Sequence, residues 1–136
     1  VAALVALDRA CFGARSWSAR AWWNVVLDPA WTTLALWTRG EVIGASLSLL
    51  WPPVAHIASI AVHPRRRRAG LGTALLRDVL RRARDAGARW VALDVDADSE
   101  AVRLYRREGF GMIRRFREDG LWRLTMVRRL GGRHGR

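Results

Sequence analysis

Lysine is absent from this chain: all 24 basic residues are arginine, set against 12 acidic ones. Cysteine occurs once, at Cys11, which excludes an internal disulfide and fits a reducing compartment. Three scattered histidines, His56, His63 and His134, and that one cysteine make no metal-ligand pattern, so no metal is expected. No apolar run reaches the roughly 18 residues of a membrane span. Val42 to Ala55 comes nearest, and Pro52-Pro53 interrupts it. Asp8 and Arg9 come too early for a secretory signal, and no G-x-S-x-G elbow marks a serine nucleophile. Repeats and linkers are missing too. These absences predict a soluble, cytoplasmic protein with no membrane partner.

What is present is enough for one core. The chain has 136 residues, 51% of them hydrophobic, which predicts a single domain over 1–130 and a loose basic tail over 131–136. The net charge of +12 calls for an acidic partner: ligand phosphates, an acidic peptide, or RNA such as that of a ribosome. Monomer and homodimer both stay open. Abundant alanine and glycine suggest a GC-rich coding sequence, which explains arginine in place of lysine but not the excess of bases over acids.

The apolar pattern orders the elements. Val1 to Phe12 reads as a helix with Leu4, Leu7, Ala10 and Cys11 on one stripe. Ser16 or Ser18 caps a second helix, which Asp28-Pro29 ends. Thr33–Trp37 and Val42–Leu50 flank a hairpin signal at Arg39-Gly40, and Pro52-Pro53 makes a loop before a strand over His56–Val62. A helix follows with Leu75, Leu76, Val79, Leu80 and Ala83 inward, closed near Gly87. Trp90–Val95 reads as a buried strand and Ser99–Glu108 as a short helix. Met112–Arg117 and Trp122–Arg128 form a last hairpin. The order predicts a mixed α/β sheet with helices on its faces. The eight tryptophans are expected mostly in the core, with Trp31, Trp51 and Trp122 near loops where they could line a pocket.

The most informative stretch is V-H-P-R-R-R-R-A-G-L-G-T, from Val62 to Thr73. A strand enters this basic turn and a helix leaves it. Gly70 and Gly72 let backbone amides approach a ligand. The first helical amides lack partners, and the dipole there is positive. Phosphate suits such a place, with Arg65 to Arg68 adding charge.

The spacing Arg67-x-x-Gly70-x-Gly72 resembles the R/Q-x-x-G-x-G/A motif of the GNAT superfamily of N-acetyltransferases. A second segment, Ala101-V-R-L-Y-R-R-E-G-F110, resembles that family's A-x-x-L-Y-x-x-x-G-F. The start, LDRACFGARSWS, is similar to that of its RimI-like branch, which acetylates the N-terminal amine of a ribosomal protein. The glutamate after Gly-Phe and the tyrosine pair usual in that branch are not present.

The resemblance implies a mixed, mostly antiparallel sheet flanked by helices, with the family's first strand missing. It implies acetyl-CoA as cosubstrate and a primary amine as acceptor: a protein N-terminus, a small molecule or an aminoacyl-tRNA. An arginine-rich RNA-binding module on the same scaffold is the rival of another class. Arg67, Arg68, Ala69, Gly70, Leu71, Gly72 and Thr73 would cradle the pyrophosphate. Two strands would splay after Ile60-Ala61-Val62, whose backbone would bond the pantetheine arm. Tyr105 would lie near the sulfur and protonate the leaving thiolate, which suits a phenol. Asp98 stands where the family has an asparagine near the cofactor, and would meet a backbone amide or an arginine instead. His56, six residues before Val62, stands where some members carry a catalytic glutamate, and equally reads as a histidine bonded at a strand start. Glu118 and Asp119 are second choices for the base. Cys11 reads as core.

Overall fold

The computed structural model describes residues 1–67 and 69–131; Arg68 and the tail over 132–136 lie outside the described residues. Two helices come first, α1 (Ala2–Phe12) and α2 (Ala19–Val26), joined through a 3₁₀ turn at Gly13–Arg15. Then follow β1 (Trp31–Thr38), β2 (Glu41–Trp51), β3 (Val54–Val62), α3 (Leu71–Asp85), β4 (Trp90–Asp96), α4 (Ala101–Arg107), β5 (Gly111–Glu118) and β6 (Leu121–Arg129). The strands form one sheet in the order β1-β2-β3-β4-β6-β5. Every pairing is antiparallel except β3 with β4. The expected mixed sheet is therefore present, with β1 at one edge and β5 at the other.

Local chemistry explains the elements. Ser18 is the cap of α2, its side chain accepting from the Ala21 amide at 3.2 Å. Two of the three hairpins turn on two residues with positive φ, Arg39-Gly40 and Asp119-Gly120, as the tight turns matched to strand twist require; the third differs in its residues but not in its length. Pro52-Pro53 is such a two-residue connection as well, because Trp51 already pairs with Val54.

The main core lies between the sheet and the pair α3, α4. Leu75, Leu76, Val79, Leu80 and Ala83 of α3 are all buried, as their spacing predicts. Leu76, Val79, Leu80 and Ala83 cluster with Val91, Leu93 and Val95 of β4 and with Leu124 and Met126 of β6, while Leu75 lies against Gly44 of β2. On the other face Leu7 of α1 packs on Val42, Ala45 and Ala61. Arg77 of α3 grips Glu108 at the end of α4 with bonds of 2.7 and 3.1 Å. That hydrogen bonding holds the Glu108 carboxyl below its ordinary range.

The tryptophans depart from expectation. Of eight, only Trp22 is buried, and Trp51 is 76% exposed. Most stand at strand ends or on faces that no helix covers.

Leu76 has no exposed surface, so Leu76→Ala is expected to cost about 2–5 kcal/mol, read as a lower urea midpoint at unchanged slope. An unchanged midpoint would mean that α3 is not packed as described.

Candidate active site

β3 and β4 pair only from Val54 opposite Trp90 to Ile57 opposite Leu93. Beyond that point β3 continues with β2, and β4 with β6, so the two inner edges part. Ala58 is the reason on the β3 side. Leu47 pairs with Ser59 and Ser48 with Ile57, which leaves Ala58 as an extra residue. Such a bulge bends and twists its strand. The separation thus begins ahead of Ile60-Ala61-Val62, not after it as expected.

A cleft of about 340 Å³ fills the gap. Ala58, Ser59 and Ile60 form one wall, and Asp94, Val95 and Asp96 the other. Tyr105 of α4 reaches it, and Phe12, Trp17 and Trp22 close it from the α1–α2 side. The expected wall residues Trp31, Trp51 and Trp122 do not line it; they lie elsewhere on the sheet.

One carboxylate fixes the aromatic wall. Asp8, 8% exposed, accepts from the Trp17 amide at 2.7 Å and from Trp22 Nε1 at 3.0 Å. A buried charge is tolerable only with such partners.

Tyr105 is 7% exposed and meets Phe110 edge-on at 5.7 Å. Burial pushes its phenol up to about 12. It is thus a protonated donor throughout the physiological range.

The carboxylates of β4 escaped the sequence reading. Asp94 is exposed to the cleft and takes a hydrogen bond from Thr125 Oγ1 at 2.7 Å. Asp96 lies at 3.1 Å from Arg15 Nη1 and 3.3 Å from Arg123 Nε, and Arg123 also bonds Glu118 at 2.9 Å. The chain Arg15–Asp96–Arg123–Glu118 ties the 3₁₀ turn, β4, β6 and the last hairpin together beside the cleft. The alternation Asp94-Val95-Asp96 was the available signal, since period two puts both acids on one face.

The other expected residues are placed as follows. His56 is exposed on β3, one residue before Ile57, the first residue of that strand to line the cleft, and does not line it itself. Gly70 is the N-cap of α3 with φ 80, and no side chain caps the helix there. Leu71, Gly72 and Thr73 open the helix, and a Cβ on Gly72 would stand 3.5 Å from Leu104, an ordinary contact. Gly70 is therefore required by its backbone, Gly72 only by what must approach it. Arg67 folds back, its Nε donating to the Val62 carbonyl at 3.2 Å, where Cys11 Sγ also donates at 3.3 Å. Burial pushes the Cys11 thiol up, so it stays protonated. Ile60 lines the cleft, whereas Ala61 is buried under α1. Ala69 is exposed ahead of Gly70. Asp98 is exposed in the turn after β4, and Ser99 lines the cleft in its place. Asp119 sits at the hairpin turn. Among the described residues no cluster of three or more His, Cys, Asp or Glu could hold a metal ion. No described helix is long and apolar enough to cross a membrane.

The opened strands and the buried phenol bound one cleft, and the uncapped helix follows the strand that forms its wall. The sequence pattern of the Acetyltransferase (GNAT) family matches residues 2–110, and the chain belongs to that family. It is 46% identical over 77 residues to a mycothiol acetyltransferase from Nocardiopsis dassonvillei, covering 56% of this chain and 23% of that one. The chain therefore spans about a quarter of that relative's length. The ribosomal-protein-S18-alanine N-acetyltransferase from Escherichia coli has a similar structure, with TM-score 0.85 and 23% identity over 97% of this chain and 90% of that one. PaiA N-acetyltransferase from Thermoplasma acidophilum, solved with coenzyme A, gives TM-score 0.79 at 13% identity, covering 95% of this chain and 92% of that one.

Tyr105 is the chain's one tyrosine, so an ultraviolet titration of tyrosinate reads it alone. The midpoint is expected near 12, against about 10 for an exposed phenol. A raised value means the neutral donor survives to higher pH. A midpoint near the exposed value would place the ring in solvent.

Proposed function

We propose that this chain is an acetyl-CoA-dependent N-acetyltransferase that acts on a primary amine, a protein N-terminal amine being the first choice of acceptor. The observation that carries the reading is the meeting of Asp94 and Tyr105 in one cleft at the parting of β3 and β4. Likeness to an alanine N-acetyltransferase along nearly the whole chain supports the choice of acceptor. The mycothiol acetyltransferase segment supports a second reading, a small-molecule amine.

The residues present fit acetyl-CoA, which supplies an activated acetyl thioester. Its pyrophosphate would lie at the first turn of α3, where Gly70 adopts positive φ and three amides lack helical partners. Arg67, close to that turn, adds positive charge. The backbone of Ser59 to Val62 on the open edge of β3 would bond its extended arm. An attacking amine must shed a proton, and Asp94, held by Thr125, is the carboxylate that accepts it in place of His56. Tyr105 donates a proton to the departing sulfur. The aromatic wall keeps water from the reacting groups.

Calorimetric titration with acetyl-CoA tests the cofactor half. Gly70→Ala, forced into positive φ, should weaken binding about tenfold, in line with a cost of roughly 1–2 kcal/mol. Thiol release with peptides bearing free or blocked N-termini, beside a panel of small amines, tests the acceptor half. Asp94→Asn should lower kcat by about 10²–10⁴ while acetyl-CoA still binds, and His56→Ala should leave kcat unchanged. A His56 variant that loses activity while Asp94→Asn keeps it would reverse the assignment.

A further inference from the structure

The excess positive charge is not spread evenly. On α3, Arg77, Arg81 and Arg82 are each bonded to a carboxylate, of Glu108 or Asp78. The last hairpin differs. From Gly111 to Arg129 it holds six arginines against two acids. One acid, Glu118, is taken by Arg123. Among the described residues Arg114, Arg115, Arg117 and Arg129 have no carboxylate within ion-pair distance. Their neighbours are aromatic rings, and Arg117 also donates to the Gly120 carbonyl at 2.8 Å. Arg115 and Arg117 lie 4.0 and 5.2 Å from the Trp122 ring, Arg114 lies 4.2 Å from Phe116, and Arg129 lies 5.9 Å from Trp90.

This arrangement keeps the whole charge. A guanidinium held against a ring face keeps its N–H donors free of a charged partner. A carboxylate partner would have cancelled the charge; a ring does not. β5 is the sheet edge, and seven of its eight residues are exposed. Arginines along that edge and the bulge at Ile113 oppose addition of another strand. The surface is thus unsuited to an extended peptide and suited to phosphates and bases. Phosphates take the guanidinium forks, and unpaired bases stack on the exposed guanidinium planes and on ring faces.

We propose that the β5–β6 hairpin is a docking surface for single-stranded polynucleotide, RNA above all. Arg114 stands on the face of the hairpin that adjoins the cleft, whereas Arg115 and Arg117, opposite Leu124 and Trp122, stand on the other face, so a strand laid along the edge meets both. Arg114 pairs with Thr125, and Thr125 with Asp94, so the edge lies two strand spacings, about 10 Å, from the candidate base. An acceptor amine held close to RNA would reach Asp94 from this side.

The test is fluorescence anisotropy of a labelled oligouridylate of about 12 nucleotides, a length comparable to known single-strand site sizes, titrated with the full chain at several salt concentrations. Binding should be saturable and quench tryptophan. The double variant Arg115→Ser/Arg117→Ser should weaken it at least tenfold and reduce the salt slope by about 1.4, two phosphates at about 0.7 each. The control Arg81→Ser/Arg82→Ser removes equal charge from the ion-paired face of α3 and should bind like the parent. Trp122→Ala should weaken binding with the slope kept. Retained acetyl-CoA binding by each variant certifies the fold and separates this proposal from the catalytic one. Three results overturn it: equal loss in both double variants, displacement of the oligonucleotide by saturating acetyl-CoA, or equal competition by a polyglutamate of the same charge. The second would locate the nucleotide on the glycine turn, and the third would make the partner an acidic protein.

Discussion

A parallel pair of strands that stops pairing halfway is the constraint on which the rest depends. Val54 to Ile57 bond to the neighbouring strand, and Ala58 ends the partnership. Backbone groups exposed inside a sheet are costly unless something polar meets them, so the opening presents unpaired strand edges to whatever enters the cleft. It also sets what surrounds the gap. The helix after β3 starts where the strand has swung away, and the helix after β4 brings its phenol to the same opening. Asp94 remains on the strand that does not bend, held from the side by Thr125.

Most of the fold was legible because its signals are local. The spacing of Leu75, Leu76, Val79, Leu80 and Ala83 marks one helix face, and Arg39-Gly40 and Asp119-Gly120 mark two turns. The glycine turn and Tyr105 were legible for the same reason. What escaped depends on which face of a strand a distant helix covers. Trp90–Val95 reads as buried on both faces, yet α3 and α4 cover only one, and the other carries Asp94 and Asp96. His56 was assigned from its distance along the strand, while the bulge that opens the cleft lies two residues later, at Ala58. The tryptophans misled through size and position: the sheet ends offer large rings only partial cover.

Dependence on arginine alone for positive charge gives one functional group three kinds of partner. Guanidinium meets carboxylate on α3, the Val62 carbonyl at the glycine turn, and aromatic rings on the last hairpin. Its planarity permits all three. An ammonium would serve the first well and the others less specifically. The charge of the chain is therefore partly offset by carboxylates on α3 and left without them along one sheet edge.

Asp8 holds Trp17 and Trp22 through a single oxygen, and none of its partners belongs to the sheet. The aromatic wall and Asp94 are thus held by different bonds, and the Arg15–Asp96 pair is what ties the turn between the first two helices to β4. Changes in the side chains of Phe12 or Trp17 reshape one side of the cleft while Asp94, Thr125 and Tyr105 stay where they are, whereas a change at Arg15 reaches the sheet. A lineage that keeps the carboxylate at position 8 and the arginine at position 15 can remodel one wall of the cleft without moving the other.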